Sequence, residues 1–189
     1  MKDVNIVVLL DRTGSMEKIL NDTIGGFNTF LRQQKEQKEV RIKFSLTFFS
    51  TTQIEEKYSD VDINEVEELN TQNYRPLGGT PLWDAIGTTI NKLADKKDLL
   101  FVIITDGEEN SSKEYKTEAV KKMIEQQEKE ANWQFLYLGV GLDNFDDATN
   151  VGIKSSYAFS GDPNAYLSLN RTVANYVNTG KVAYDENNK

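Results

Sequence analysis

Asp11, Thr13 and Ser15 stand at two-residue spacing in the run Asp11-Arg12-Thr13-Gly14-Ser15. One carboxylate and two hydroxyls offer nothing but oxygen, and an all-oxygen donor set suits a hard divalent cation. Thr80, in Gly79-Thr80-Pro81, and Asp106, in Thr105-Asp106-Gly107, extend the set to two acids and three hydroxyls. Each has an ordinary structural account when taken alone. Ser15 or Thr80 can cap the helix that follows, and Asp106-Gly107 is a common turn dipeptide. Their joint occurrence on three loops is what capping and turn chemistry do not explain.

Composition narrows the chemistry further. The 189 residues include no His and no Cys. This removes thiol and imidazole nucleophiles, His-based triads, zinc–thiolate sites and iron–sulfur clusters. A metal here must be held by oxygen, which favours Mg²⁺ or Mn²⁺, with Ca²⁺ behind them. The net charge of −8 works against general nucleic-acid binding, which needs clustered Lys and Arg. Lys96-Lys97 and Lys121-Lys122 are short pairs among acids and read as solvated helix faces. No stretch approaches membrane-spanning length. Met1-Lys2-Asp3 and the few apolar residues after it do not read as a secretory leader. The expectation is a cytoplasmic protein without membrane or nucleic-acid partners.

The donors need elements to position them. Val4–Leu10 is a short apolar run that reads as a buried strand delivering Asp11 to a sheet rim. Apolar residues then recur every three or four positions from Met16 to Leu31, predicting a helix from Ser15 to about Lys38. Gly25-Gly26 weakens that helix by roughly 1 kcal/mol per glycine, and close approach by the sheet or another helix is one explanation. Arg41–Ser50 and Gln53–Tyr58 predict a hairpin, its second arm a charged edge. Asp62–Leu69 reads as a short acidic helix. Pro81 fits the first position of a helix carrying Leu82, Ile86, Ile90 and Leu93.

Leu99–Thr105 is continuously apolar and β-branched up to its last residue, the pattern of a central parallel strand. A helix at about Tyr115–Glu130 and a strand at Trp133–Val140 follow. Beyond them a short helix near Asn144–Asn150, a strand near Ser155–Phe159 and a last helix from about Pro163 to Thr179 are expected. Strands alternate with helices except at the early hairpin. The fold class is therefore α/β: a three-layer, doubly wound, Rossmann-like sheet, mostly parallel with one antiparallel edge strand. One domain spans residues 1–184, with 185–189 a frayed tail. In such folds ligands bind beyond the carboxyl ends of the strands, where all three loops lie.

With those residues in place, the sequence resembles the von Willebrand factor A domains and their metal-ion-dependent adhesion site. That site has D-x-[ST]-x-S after the first strand, a Thr in a later loop and an Asp after the central strand. The matching positions are Asp11, Thr13, Ser15, Thr80 in GGTPLWDAI and Asp106 in FVIITDGEEN. The chain looks like a small stand-alone bacterial or phage-type intracellular member. The resemblance implies that Thr13 and Ser15 bind the cation directly and Thr80 joins them in the liganded state. Asp11 and Asp106 would bind directly or through water. A partner's Asp or Glu then completes the shell.

It further implies a non-enzymatic protein-binding module, and a last helix that can shift on ligand binding. An AAA+ ATPase or an assembly or stress-response factor is the kind of partner suggested. Gly14 and Gly79 would let backbone pass close to the ion. Arg12, Glu108, Glu109 and Asn110 either form a partner-selecting rim or are solvated loop charges. Asp84 either supports Thr80 or is solvated helix surface. Trp83, Trp133 and Tyr137 read as core aromatics.

The competing function is a Mg²⁺-dependent phosphohydrolase or phosphotransferase using Asp11 as nucleophile. Thr13 stands where such phosphatases place their acidic proton donor, and a threonine hydroxyl donates poorly at neutral pH. A dinucleotide site is disfavoured, because the first strand is followed by Asp-Arg-Thr-Gly-Ser and not by a G-x-G-x-x-G turn.

Overall fold

The computed structural model describes residues 2–140, 146–159 and 165–182. Six strands, β1 (Lys2–Asp11), β2 (Val40–Ser50), β3 (Gln53–Asp62), β4 (Leu99–Thr105), β5 (Gln134–Val140) and β6 (Ser155–Phe159), form one sheet. Five α-helices, α1 (Leu20–Lys35), α2 (Leu82–Lys92), α3 (Thr117–Ala131), α4 (Asp146–Asn150) and α5 (Ala165–Thr179), and two short 3₁₀ segments complete the described elements. The sheet order is β3-β2-β1-β4-β5-β6, parallel throughout except for the β2–β3 hairpin. This is the expected doubly wound α/β architecture.

The period of two in the central strands sorts their side chains onto two faces. Val4, Ile6, Val8 and Leu10 of β1 join Leu100, Val102 and Ile104 of β4 in the core beneath α1 and α5. Val7 and Leu9 join Leu99, Phe101 and Ile103 in the core beneath α2 and α3. All seven residues of β4 are buried, as its unbroken apolar run requires.

The chain leaves β1 towards β2 by way of α1 and enters β4 by way of α2, on opposite faces. Strand order therefore reverses between β1 and β4, and a crevice opens beyond their carboxyl ends. Asp11 and Thr105 are the last residues of those two strands.

Several local expectations need correction. Ser15 does not start an α-helix directly: Gly14–Ile19 forms a 3₁₀ segment before α1, which ends at Lys35. Asp62–Leu69 is not a helix. Only Ile63–Glu65 makes a 3₁₀ turn, and the Asn28 side chain then clamps Leu69, donating to its carbonyl at 2.9 Å and accepting its N–H at 2.7 Å. Ile63, Val66 and Leu69 reach the core from this irregular segment, so burial overrides the helical look of the acids. β3 runs on to Asp62, with register shifts against β2 near Leu46. Pro81 flanks α2 as its N-cap instead of opening it.

The diglycine divides. A Cβ on Gly26 would stand 2.1 Å from the Tyr166 ring of α5, so that glycine permits a close helix crossing. Gly25 has nothing within 4 Å. Trp83, Trp133 and Tyr137 are buried core residues. The first two residues expected in the short helix near Asn144, the start of the last helix at Pro163, the 184 domain boundary and the 185–189 tail lie outside the described residues.

Candidate functional site: an oxygen-lined crevice between β1 and β4

Asp11 is wholly buried at the end of β1. Its Oδ1 accepts the Thr13 N–H at 2.7 Å and its Oδ2 accepts the Thr105 hydroxyl at 2.5 Å. Its own carbonyl accepts the Tyr74 hydroxyl at 2.5 Å. Burial pushes the Asp11 carboxyl up to about 6, and the Asp106 charge pushes the same way, while the hydrogen bonds from Thr105 and Thr13 oppose. Ionised Asp11 is thus a negative charge held at a site short of positive charge.

The 3₁₀ turn after β1 brings Ser15 back over Thr13. The Thr13 and Ser15 hydroxyl oxygens are 3.1 Å apart, and Ser15 Oγ donates to Asp106 Oδ1 at 2.7 Å. Burial also raises the Asp106 carboxyl above its usual range. Thr80 is buried nearby. Its hydroxyl lies 3.0 Å, and that of Ser15 3.7 Å, from the point where a Cβ on Gly107 would stand. Asp11, Thr13, Ser15, Thr80 and Asp106 therefore converge on one crevice from three loops. Among the described residues, no group of three or more His, Cys, Asp or Glu side chains is placed to hold a metal. The donor set is two carboxylates and three hydroxyls.

The flanking residues are more firmly committed than their loop positions suggest. Arg12 donates to Glu55 Oε2 at 2.7 Å and stacks its guanidinium over the Phe48 ring at 5.3 Å. Its carbonyl accepts the Leu77 N–H at 2.9 Å, and Gly14 N–H donates to the Gly78 carbonyl at 2.8 Å. These two bonds lay the 77–78 segment alongside the 12–14 loop. Gly78 has φ +86, a backbone region that favours glycine. Gly79 donates to Thr51 Oγ1 at 2.9 Å and accepts from the Thr51 N–H at 3.0 Å.

Asn110 pairs with Thr80 through two bonds. Its Oδ1 accepts the Thr80 N–H at 3.0 Å and its own N–H donates to the Thr80 carbonyl at 3.1 Å. Glu108 is exposed.

Glu109 fits neither alternative the sequence left open. Its carboxylate accepts the Trp83 N–H at 2.9 Å at the start of α2, together with the N–H groups of Ser111 and Ser112 and the Ser112 hydroxyl. Ser112 Oγ in turn accepts the Asp84 N–H at 3.0 Å. The first turn of α2 is thus capped from the 109–112 loop, and the Thr80 hydroxyl is left to the crevice. Asp84 is likewise neither a support for Thr80 nor free surface. Its carboxylate accepts the N–H groups of Lys113, Glu114 and Tyr115 at 2.8–2.9 Å.

Sequence reasoning missed Thr105, Tyr74 and Asp147. Thr105 joins β4 to Asp11 and also accepts the Gly107 N–H at 3.1 Å. The signal was present: Thr105 is the lone polar residue of a fully buried strand, and a buried hydroxyl needs a partner. Asp147 of α4 accepts the Glu109 N–H at 2.7 Å, a contact between distant segments that no local pattern announces.

No sequence-family model matches this chain, and no curated protein matches it in sequence. Solved structures do. A von Willebrand factor type A structure from Catenulispora acidiphila superposes with a TM-score of 0.64 at 13% identity, covering 93% of this chain and 43% of that one. Proximal thread matrix protein 1 from the mussel byssus gives 0.64 at 14% identity, over 93% of this chain and 46% of that one. The corresponding domain of the type V pili tip protein Mfa5 from Porphyromonas gingivalis gives 0.62 at 12% identity, over 96% and 98%. The chain spans less than half the length of the first two. Its fold is that of the von Willebrand factor A domains.

Proposed function

We propose that this chain is a divalent-cation-dependent protein-binding module without catalytic activity. Thr13, Ser15 and Thr80 hold Mg²⁺ or Mn²⁺ with Asp11 and Asp106 at a metal-ion-dependent adhesion site. A partner's Asp or Glu carboxylate completes the shell. The observation that carries this reading is the run of close oxygens from Thr13 to Ser15 to Asp106. Around an octahedral Mg²⁺, oxygens at about 2.1 Å from the ion stand about 3.0 Å from their neighbours. The Thr13–Ser15 separation of 3.1 Å fits such an edge. The raised carboxyls of Asp11 and Asp106 support it, since both charges are held where a cation would relieve them.

The bound cation supplies positive charge and a coordination position open to an outside carboxylate. This chain's residues do the rest. Thr105 and the Thr13 N–H fix the Asp11 carboxylate, Ser15 holds Asp106, and Asn110 with Gly79 sets the height of the Thr80 backbone. The three neutral hydroxyls add no negative charge of their own, so the cation keeps more of its pull on an outside anionic group than an all-carboxylate set would leave it. A phosphohydrolase reading is less well supported, because Asp11 is buried with both oxygens engaged and presents no free oxygen for attack. Of the similar structures, one is named as a thread matrix protein and one as a pilus tip protein, names of assemblies and not of reactions. That favours binding too.

Titration calorimetry with Mg²⁺ and Mn²⁺ tests the site, with Asp11→Ala and Ser15→Ala as controls. Binding that both substitutions weaken at least tenfold is expected, and unchanged affinity would falsify the assignment. Recovery of a partner in Mg²⁺ but not in EDTA tests the function.

A further inference from the structure

We infer that Lys18 is a specificity-determining residue of the cation site: it stands at the solvent side of the crevice and takes the second oxygen of the carboxylate that completes the cation's shell. The inference rests on the cation-dependent reading above and adds the group that makes the open position selective for an acid.

The five donors are unequally covered. Asp11, Thr13 and Thr80 are buried, whereas Ser15 is exposed and Asp106 is half-buried. A group from outside therefore reaches the ion past Ser15 and Asp106, which are bonded to each other at 2.7 Å.

The turn that carries Ser15 decides what else stands at this opening. Gly14–Ile19 is a 3₁₀ segment, and side chains three residues apart in a 3₁₀ helix eclipse one another. Met16 and Ile19 form the row that packs on the core. Ser15 and Lys18 form the next row, so Lys18 shares its face of the turn with a cation donor. One such turn rises about 6 Å, a distance that the four-carbon stem of a lysine covers. Asp106 registers the nearby ammonium. Burial pushes its carboxyl up, the hydrogen bond from Ser15 pulls it down, and the Lys18 charge pulls the same way. Lys18 is nevertheless exposed and enters no ion pair among the described residues. Its charge is beside the crevice and unspent.

The other charges of the rim are placed differently. Arg12 is spent on Glu55 and the Phe48 ring. The Glu108 charge acts on Tyr137 of β5 and Asp147 of α4, which puts it on their side of the crevice. The opening is thus basic where α1 begins and acidic towards α4. A carboxylate fits it with both oxygens, one in the cation's open position and one on Lys18. A neutral amide or alcohol oxygen also fills the open position, but it offers Lys18 no second, charged acceptor.

The full chain loaded with Mn²⁺ tests this, with acetate as the probe. Bound Mn²⁺ speeds the relaxation of water protons through its exchangeable water, and acetate that replaces this water lowers the effect. Lys18→Met keeps the stem and removes the charge. It should raise the acetate concentration for half-displacement about two- to fivefold, the usual worth of one exposed charge pair. Mn²⁺ binding should hold or tighten, up to about threefold, because a like charge has left the cation's surroundings. A merely structural role would weaken both together. Lys18→Glu should move both further, Lys18→Arg should keep acetate near its wild-type value, and added salt should shrink every difference. All three variants should melt with the wild type.

Acetate displacing water equally well from wild type and Lys18→Met, or Mn²⁺ and acetate binding falling together, overturns the role of Lys18 and leaves the cation site standing. Mn²⁺ that binds wild type but keeps its water against acetate overturns Lys18 and the open position with it. No Mn²⁺ binding by wild type overturns the parent reading as well.

Discussion

Thr105 and Asp11 are 94 residues apart in the chain, yet the Thr105 hydroxyl donates to Asp11 Oδ2 at 2.5 Å inside the core. This bond joins the ends of the two strands between which the sheet reverses direction. Together with the Thr13 N–H on Oδ1, it engages both oxygens of Asp11 and fixes the carboxylate's orientation.

Thr105→Val keeps the shape and removes the donor. It should lower stability by about 1–3 kcal/mol, the cost of leaving a buried acceptor without its partner. Mg²⁺ affinity should fall about tenfold, in line with other losses of an orienting partner behind a ligand. Urea unfolding and calorimetry on one preparation measure both, and a variant that loses stability alone would separate Thr105 from the cation site.

The raised Asp11 carboxyl predicts an unusual pH dependence in EDTA. With a folded value of about 6 against an ordinary 3.8, the folded chain takes up this proton more readily than the unfolded chain. Stability from this group is therefore present below about pH 4 and lost as pH rises through 6. The whole difference is on the order of 3 kcal/mol. Because other acids titrate as well, the measurement compares wild type with Asp11→Asn at about pH 5 and pH 8 in EDTA. Wild type should gain on the variant at the lower pH; parallel curves would remove the buried charge from the account. With Mg²⁺ present the trend reverses, since protons compete with the cation.

Glu109→Ala should destabilise the chain although Glu109 lies in a loop. It strips the acceptor from Trp83 N–H at the start of α2 and from two further N–H groups. Loss of a cap costs about 1–2 kcal/mol, which for a chain of this size lowers Tm by roughly 2–8 °C. Glu109→Gln, which keeps an acceptor, should recover part of the loss. A melting temperature unchanged in Glu109→Ala would return this residue to the surface.

The two adjacent glycines of α1 should respond with opposite signs. Gly25→Ala enters open space in a helix and should stabilise by about 0.5–1 kcal/mol. Gly26→Ala drives a methyl into the Tyr166 ring and should cost about 1–3 kcal/mol. Thermal melts of both variants decide it. A stabilising Gly26→Ala would mean that α5 does not cross α1 at that point.

Much of this was legible in the sequence because strands and site share one signal. An apolar run that stops abruptly at a polar residue marks both a strand and the rim where a candidate site residue emerges, as at Leu10-Asp11 and Ile104-Thr105-Asp106. The segment 62–69 was misread because its acids mimic a helix surface, while its fate is set by Asn28, a residue 41 positions away from Leu69. Glu109 was misread for the same reason. Its role depends on where the start of α2 lands, and no local pattern carries that information.

The β1–β4 pairing has a mechanical consequence. Both strands point their carboxyl ends at the crevice and lie in the middle of the sheet, bonded on each side to a neighbour. Under the proposed function, a pull on a ligand held there would load both strands from their carboxyl ends. A load along the strands would shear their ladder bonds together instead of unzipping them singly.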